Sequence, residues 1–327
     1  MDYPERLITV ADGVHVWAPD GVGTWGLANC VLVTSRDEAA LVDTPYTTDL
    51  TERLLAAAQP LLPPGGRIGT VVNTHANGDH AYGNCHFPDA EIISSEAGLE
   101  HARNEPGPEQ LHQLVHHSDR GTPLGWYLYE HFGRYDFRGM EPTGPTRTFS
   151  GELTLTVGAT ELRLIEVGPA HTTGDVIVHL PEQGVVCTGD VYFEGDHVVH
   201  WAGPLSRVAD AVRTVLDLDP AVVVPGHGPV GGPRELRAHL AYLEDITARI
   251  HALREQGRDA AEAAAELLRT DPYPRLGMPE RLCILTELEY QHLDAAPTVA
   301  GPIQLVTAAA RAAFDRAHPG HRDGDQG

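Results

Sequence analysis

Four short apolar runs in this chain end alike, and that repetition limits what it can fold into. Ile68 to Val72 leads into Thr74-His75-Ala76-Asn77-Gly78-Asp79-His80. Leu162 to Val167 leads into Gly168-Pro169-Ala170-His171-Thr172. Val185-Val186-Cys187 leads into Thr188-Gly189-Asp190, and Val222-Val223-Val224 into Pro225-Gly226-His227-Gly228. Each run has the length of a buried strand. Each then sets an imidazole or a carboxylate where the backbone leaves the sheet, beside small residues that allow a sharp turn. Loops at one sheet edge are where α/β proteins bind ligands. Imidazole and carboxylate are the side chains that hold zinc or iron.

The rest of the chain alternates strand and helix patterns, which argues an α/β fold. Residues 7–17 and 30–43 read as strands, the second block ending in the polar Asp43-Thr44-Pro45. Asp43 reads first as a helix or turn cap. Thr48 to Ala58 reads as a helix, with Thr48 or Asp49 as its N-cap. A further strand, Ala90 to Ser94, follows the central stretch. From Leu153 to Thr188 closely spaced turns predict hairpins. Helical patterns cover 205–218, 233–255, 260–269, 280–293 and 303–318, with a short buried strand at 221–224 between the first two.

Residues 96–150 differ. Hydrophobic periodicity weakens and histidines gather, while six of the chain's twenty aromatic residues fall between Trp126 and Phe137. The segment reads as a helical, aromatic-rich insertion. The predicted organisation is a main domain over 1–232 containing that insertion, a helical extension over 233–317, and a disordered tail over 318–327.

Charge excludes several partners. With 46 acidic and 23 basic residues the formal net charge is -23. Such a surface does not hold a phosphate backbone or an anionic membrane. Every basic residue is arginine, so lysine Schiff-base chemistry is excluded. Cys30, Cys85, Cys187 and Cys283 are scattered without a paired spacing and read as free thiols of a reducing cytoplasm. No apolar run approaches the roughly 20 residues that span a bilayer, and the first residues lack the pattern of a signal peptide. The expected partner is a small molecule, with homodimerisation through the C-terminal helices as an option. There is no G-x-S-x-G elbow and no P-loop. Gly21-Val22-Gly23-Thr24-Trp25-Gly26 matches a dinucleotide-binding spacing but lacks the following helix.

The ordered set resembles the metallo-β-lactamase superfamily, whose signature is a T-H-x-H-x-D-H loop followed by single His, Asp and His ligands. The resemblance covers about residues 7–232. It implies an αβ/βα four-layer sandwich with the insertion and the C-terminal helices added to it. It also implies a metal centre. One site would use Asp79, His80 and His227, with Asp190 bridging. The other would use His75, His171 and Asp190, with Asn77 standing where the signature has a third imidazole. A neutral amide oxygen is a weak ligand for a borderline-soft ion. Three readings follow: one metal in the complete pocket, two metals with the first held loosely, or no useful metal.

Zinc is the expected ion, with iron and manganese as alternatives. A divalent ion in such a pocket brings the pKa of its water toward about 7. Asp79 is the expected orienting and proton-accepting group. The resemblance implies hydrolysis of an ester, thioester, lactone or amide by a metal-activated hydroxide. Trp126, Tyr127, Tyr129 and Tyr135 are candidate walls for a bulky apolar substrate; the alternative is that they form the insertion's own core. Val167-Gly168-Pro169-Ala170-His171-Thr172, Gly189-Asp190-Val191 and Gly226-His227-Gly228-Pro229-Val230 look more closely like zinc-dependent aromatic polyketide cyclases and thioesterases of secondary metabolism. A non-catalytic binding protein on a decayed hydrolase fold is a third possibility.

Overall fold

The unbroken apolar character of the inner strands dictates a layered fold. In β2 (Val14–Trp17), β3 (Cys30–Ser35) and β4 (Glu38–Val42), even and odd positions are both buried. A strand apolar on both faces must lie between two layers. The computed structural model of the chain, which describes residues 2–294 and 302–319, has four such layers.

One sheet runs β1 (Ile8–Ala11), β2, β3, β4, β5 (Ile68–Val72), β6 (Glu91–Ser95) and β7 (Arg147–Phe149) in sequence order. β1 to β4 are antiparallel, and β4 to β7 are parallel. Helix α1 (Thr48–Ala58) connects β4 to β5, and a single turn, α2 (Gly78–Ala81), follows β5. Between β6 and β7 lie α3 (Glu96–Ala102), α4 (Pro108–His117) and α5 (Pro123–Phe132), the helices read from the insertion.

The second sheet holds β8 (Glu152–Val157), β9 (Thr160–Glu166), β10 (Val176–Leu180) and β11 (Val185–Cys187) as successive antiparallel neighbours. After α6 (Leu205–Asp217), β12 (Val222–Val224) adds in parallel to β11. Helices α7 (Pro233–Glu255), α8 (Ala260–Thr270), α9 (Arg281–Leu293) and α10 (Pro302–Ala317) complete the described chain.

Val31, Val33, Ala40, Val42 and Ile93 of the first sheet meet Leu162, Leu164, Val178 and Leu180 of the second in a central core. The opposite face of the first sheet packs Leu32 and Leu41 against Leu50 and Leu54 of α1. The opposite face of the second packs Ile177 and Val223 against Leu243 and Ile246 of α7 and Leu282 and Leu285 of α9. The C-terminal helices therefore share the core of the second sheet.

The N-cap of α1 is Thr47, one residue before the expected positions; its side chain accepts from the Leu50 amide. Asp43 caps no helix: it is buried with a left-handed backbone (φ 60°) at the end of β4. Of the expected tail, His318 and Pro319 follow α10, and the remainder lies outside the described residues. All four cysteines are free thiols. Among the described residues no helix is long and apolar enough to cross a membrane.

Candidate metal centre

Parallel pairing brings the four strand ends together. β4 and β5 pair with Val42 opposite Val72, so Asp43 and the Asn73–His80 loop leave the first sheet at one edge. β11 and β12 pair with Cys187 opposite Val224. Asp190 and His227 each follow three residues later, side by side at the facing edge of the second sheet. Two backbone hydrogen bonds join the edges, Val176 N to Thr74 O and Asn29 N to Gly226 O, both 2.7 Å. The site is thus a seam between two sheets. The close approach fixes Gly226, where an added Cβ would stand 1.9 Å from Asp190 Oδ1.

Six side chains meet at the seam. Asp190 lies at the centre, its carboxylate 3.2 Å from His80 Nε2, 3.3 Å from His227 Nε2, 3.5 Å from His171 Nε2 and 3.9 Å from His75 Nε2. Asp79 Oδ2 is 3.5 Å from His227 Nε2. Ligand atoms fall into two groups, His75 with His171 and Asp190, and Asp79 with His80 and His227; within each they lie within 4.8 Å of one another.

The hydrogen bonds on the far side of each ring decide which nitrogen faces inward. His171 Nδ1 lies 2.7 Å from Val199 O and His227 Nδ1 lies 3.1 Å from Leu27 O. A carbonyl only accepts, so both Nδ1 atoms carry the proton. His80 Nδ1 lies 2.8 Å from Asp43 Oδ2. Thr74 donates its hydroxyl to that same oxygen at 2.7 Å, leaving its own lone pairs for His75 Nδ1 at 3.0 Å. With the rings neutral, the four Nε2 lone pairs therefore face Asp190, the arrangement that outer hydrogen bonds impose on metal-ligating histidines. His75 Nε2 and Asp190 Oδ1 are buried without a hydrogen-bond partner. Orphaned lone pairs beside a buried carboxylate fit a cation, and so does the donor set.

Electrostatics agree. Burial works against a charge on His80, yet Asp190, Asp43 and Asp79 outweigh it and raise its pKa well above the usual value. Burial would lift Asp190, but His227, His80 and His171 hold its pKa well below the carboxylate range. His75, buried and beside His80, is pushed well down. The seam's carboxylates thus favour positive charge, which burial denies to His75 and His171.

Asn77 lies at the rim, with Oδ1 placed 2.8 Å from His171 Nε2. Asp43 is the group most understated by sequence: it accepts from His80, from the Thr74 hydroxyl and from the Thr74 amide at 2.7 Å. Its signal was its position, a carboxylate just past an apolar run like the others. Asn29 donates to Pro225 O and Gly228 O, clamping the His227 loop, and Asn73 donates to His80 O. Asn84 joins Asn73 by an amide pair at 2.8 Å.

The seam opens into a cavity lined mostly by apolar groups, among them Trp25, Tyr46, Tyr127, Phe132, Phe193 and Trp201. Of the four aromatic residues expected there, Tyr127 alone borders it. Trp126 instead packs on Phe314 and His318 of the C-terminal helix region. Tyr129 lies under the Arg120 guanidinium. Tyr135 turns its ring to Tyr46 and donates its hydroxyl to Trp25 O at 2.8 Å. The reason is helical geometry: Trp126 and Tyr129 of α5 share a face and Tyr127 points away from both, so one helix cannot turn all of them to one cavity. Sequence reasoning missed Trp25, Phe193 and Trp201, which come from loops without periodic signal.

The sequence profile of the metallo-beta-lactamase superfamily matches residues 23–227. The acyl-coenzyme A thioesterase MBLAC2 of Gallus gallus is 27% identical over 219 residues, which cover 64% of this chain and 75% of that protein. A metallo-beta-lactamase family protein from Thermus thermophilus superposes with a TM-score of 0.60 at 21% identity, covering 90% of this chain and 98% of its own. The mono-zinc form of the metallo-beta-lactamase FIM-1 from Pseudomonas aeruginosa gives 0.54 at 19% identity, covering 75% of this chain and 96% of its own.

Proposed function

The chain belongs to the metallo-beta-lactamase superfamily and is a hydrolase of it, and from that premise we propose that it hydrolyses thioesters of largely apolar acyl groups. One observation carries the reading: the buried ligand set opens into a cavity walled by aromatic and aliphatic side chains. Such walls suit an acyl chain better than a phosphodiester. The name of the Gallus gallus relative points the same way.

The residues that would hold a divalent cation are Asp79, His80, His227 and Asp190, with His75 and His171 offering a weaker second place beside Asn77. We take zinc as the ion, since imidazole-rich sets suit it. When bound, the ion supplies Lewis acidity and an acidified water. Asp79, half-buried and bordering the cavity, orients the attacking water and takes its proton on the carboxylate. The water oxygen bonds to the acyl carbon, the C–S bond breaks, and the proton passes from Asp79 to the departing sulfur. Asp43 keeps His80 in its ligating tautomer. Trp25, Phe193 and Trp201 exclude bulk water from the acyl group.

The test is a panel of acyl thioesters, oxygen esters, β-lactams and phosphodiesters offered to zinc-loaded protein, with elemental analysis of the bound ion. Thioesters are expected to lead, with Asp79→Asn slower by about 10²–10⁴-fold. No thioester turnover, or an Asp79→Asn enzyme as fast as the parent, overturns the reading.

A further inference from the structure

A buried arginine lies beside the cavity with no carboxylate within ion-pair distance among the described residues. Arg281 is 1% exposed, and it borders the cavity. It opens α9, so its charge sits at the positive end of a helix dipole, where a cation is disfavoured. Its guanidinium lies 4.2 Å over the Trp25 ring and 5.1 Å over Phe193. Nη1 donates to His197 O at 2.8 Å, and Nε is buried without a partner. Among the described residues Arg281 makes no ion pair. Its neighbour Glu280 is engaged elsewhere, with Arg316 at 2.8 Å and the Tyr127 hydroxyl at 3.1 Å. The nearby Asp196 feels the charge from beyond ion-pair distance; its Oδ2 accepts from the Gly23 amide at 2.7 Å, and its Oδ1 is buried without a partner.

A guanidinium is always charged, and burying an unpaired charge is expensive. Helix stability does not account for it, and two aromatic rings only offset part of the cost. The surroundings are nonetheless built: the Trp25 indole donates to Tyr127 at 2.8 Å, and Tyr127 donates to Glu280, so the ring under the guanidinium is held in place. The metal centre is close, because Phe193 stacks on His227 at 5.2 Å with its plane tilted only 2°. One ring separates Arg281 from a ligand of the seam.

We propose that Arg281 anchors a carboxylate carried on the acyl group of the substrate, so that the cavity selects acyl chains with an anionic far end. The proposal rests on the thioesterase reading for the scissile bond and on Arg281 alone for the selectivity. α9 lies beyond the residues matched by the superfamily profile, so this anchor is an addition made by the C-terminal helices.

Two measurements test it. The first is calorimetric binding of linear dicarboxylates, from butanedioate to decanedioate, against their monomethyl esters. The second is kcat/KM for thioesters of the same acyl groups. Wild-type protein is expected to prefer the free carboxylate by about tenfold to a hundredfold, the worth of a charge-assisted hydrogen bond. Arg281→Met is expected to lose that preference, so that free acids and methyl esters are handled alike. Arg281→Lys, which keeps the charge without the fork, is expected to keep part of it and serves if the methionine variant does not fold. No preference in the wild type, or a preference undiminished in the folded variants, overturns the proposal. Binding selectivity without thioester turnover would remove the thioesterase reading alone. Turnover of plain alkyl thioesters with no selectivity would remove the role of Arg281 alone.

Discussion

Asn77 meets His171 across 2.8 Å, and the imidazole has no proton to give it. The proton of His171 sits on Nδ1, donated to Val199 O, and burial holds the ring neutral with a pKa lowered to about 4. The two ends of an amide have nearly the same shape, and hydrogen-bond logic turns the Asn77 NH₂ toward Nε2. Asn77 therefore competes with a cation for the lone pair of His171.

Replacing Asn77 by His removes that competition and adds a ligand. Metal content, measured by elemental mass spectrometry on protein purified without chelating tags, is expected to be about one ion per chain in the parent and to rise toward two in Asn77→His. Two ions in the parent would show that the amide does not block the second place.

Asp43→Asn keeps the side-chain shape, and asparagine tolerates the left-handed backbone at this position. It removes the charged acceptor shared by His80 and Thr74. Affinity for zinc is expected to fall about 10–100-fold with little change in fold. Competition against a chromophoric chelator measures it; unchanged affinity would make Asp43 a purely structural group.

Leu243 of α7 is fully buried against the second sheet, as Leu41 is against α1. Alanine at either position is expected to cost about 2–5 kcal/mol. If the C-terminal helices fold with the sandwich, both variants shift one common urea transition. Two separate transitions would make the helices an independent unit.

Acid should destabilise the fold through histidines outside the metal centre. Burial lowers His239 to about 3 and His197 to about 4, below the roughly 6.5 of an unfolded chain. Their neutral forms support the fold fully above that unfolded value, and the support is lost as pH falls toward the folded values. Each contributes on the order of 2 kcal/mol less at pH 5 than at pH 7.5. Urea unfolding at the two pH values, repeated on His239→Gln, should show a smaller pH effect in the variant.

The sandwich was legible because its strands are short apolar runs bounded by turns and its helices have clear start signals; Thr48–Ala58, Ile68–Val72 and Pro233–Glu255 fall where the pattern puts them. The ligand candidates were legible because each follows an apolar run. Asp43 obeys the same rule but was read as a cap, since a single carboxylate before a helix has two local explanations. The cavity was the least legible. Its walls come from loops at 25, 193 and 201 and from helices far along the chain, and which face of α5 turns inward depends on what packs behind it. Arg281 carries no sequence signal, because an arginine at a helix start reads as surface until its burial is seen.

The seam also has a mechanical meaning. His75, Asp79 and His80 follow a strand of the first sheet, while His171, Asp190 and His227 follow strands of the second. An ion shared among them closes a long stretch of chain upon itself, as a cross-link would, and unfolding must first release it. Apparent stability then tracks free metal in solution, gaining about 1.4 kcal/mol for each tenfold rise above the dissociation constant. The protein's lifetime thus becomes a readout of the metal supply around it, independent of whether substrate is present.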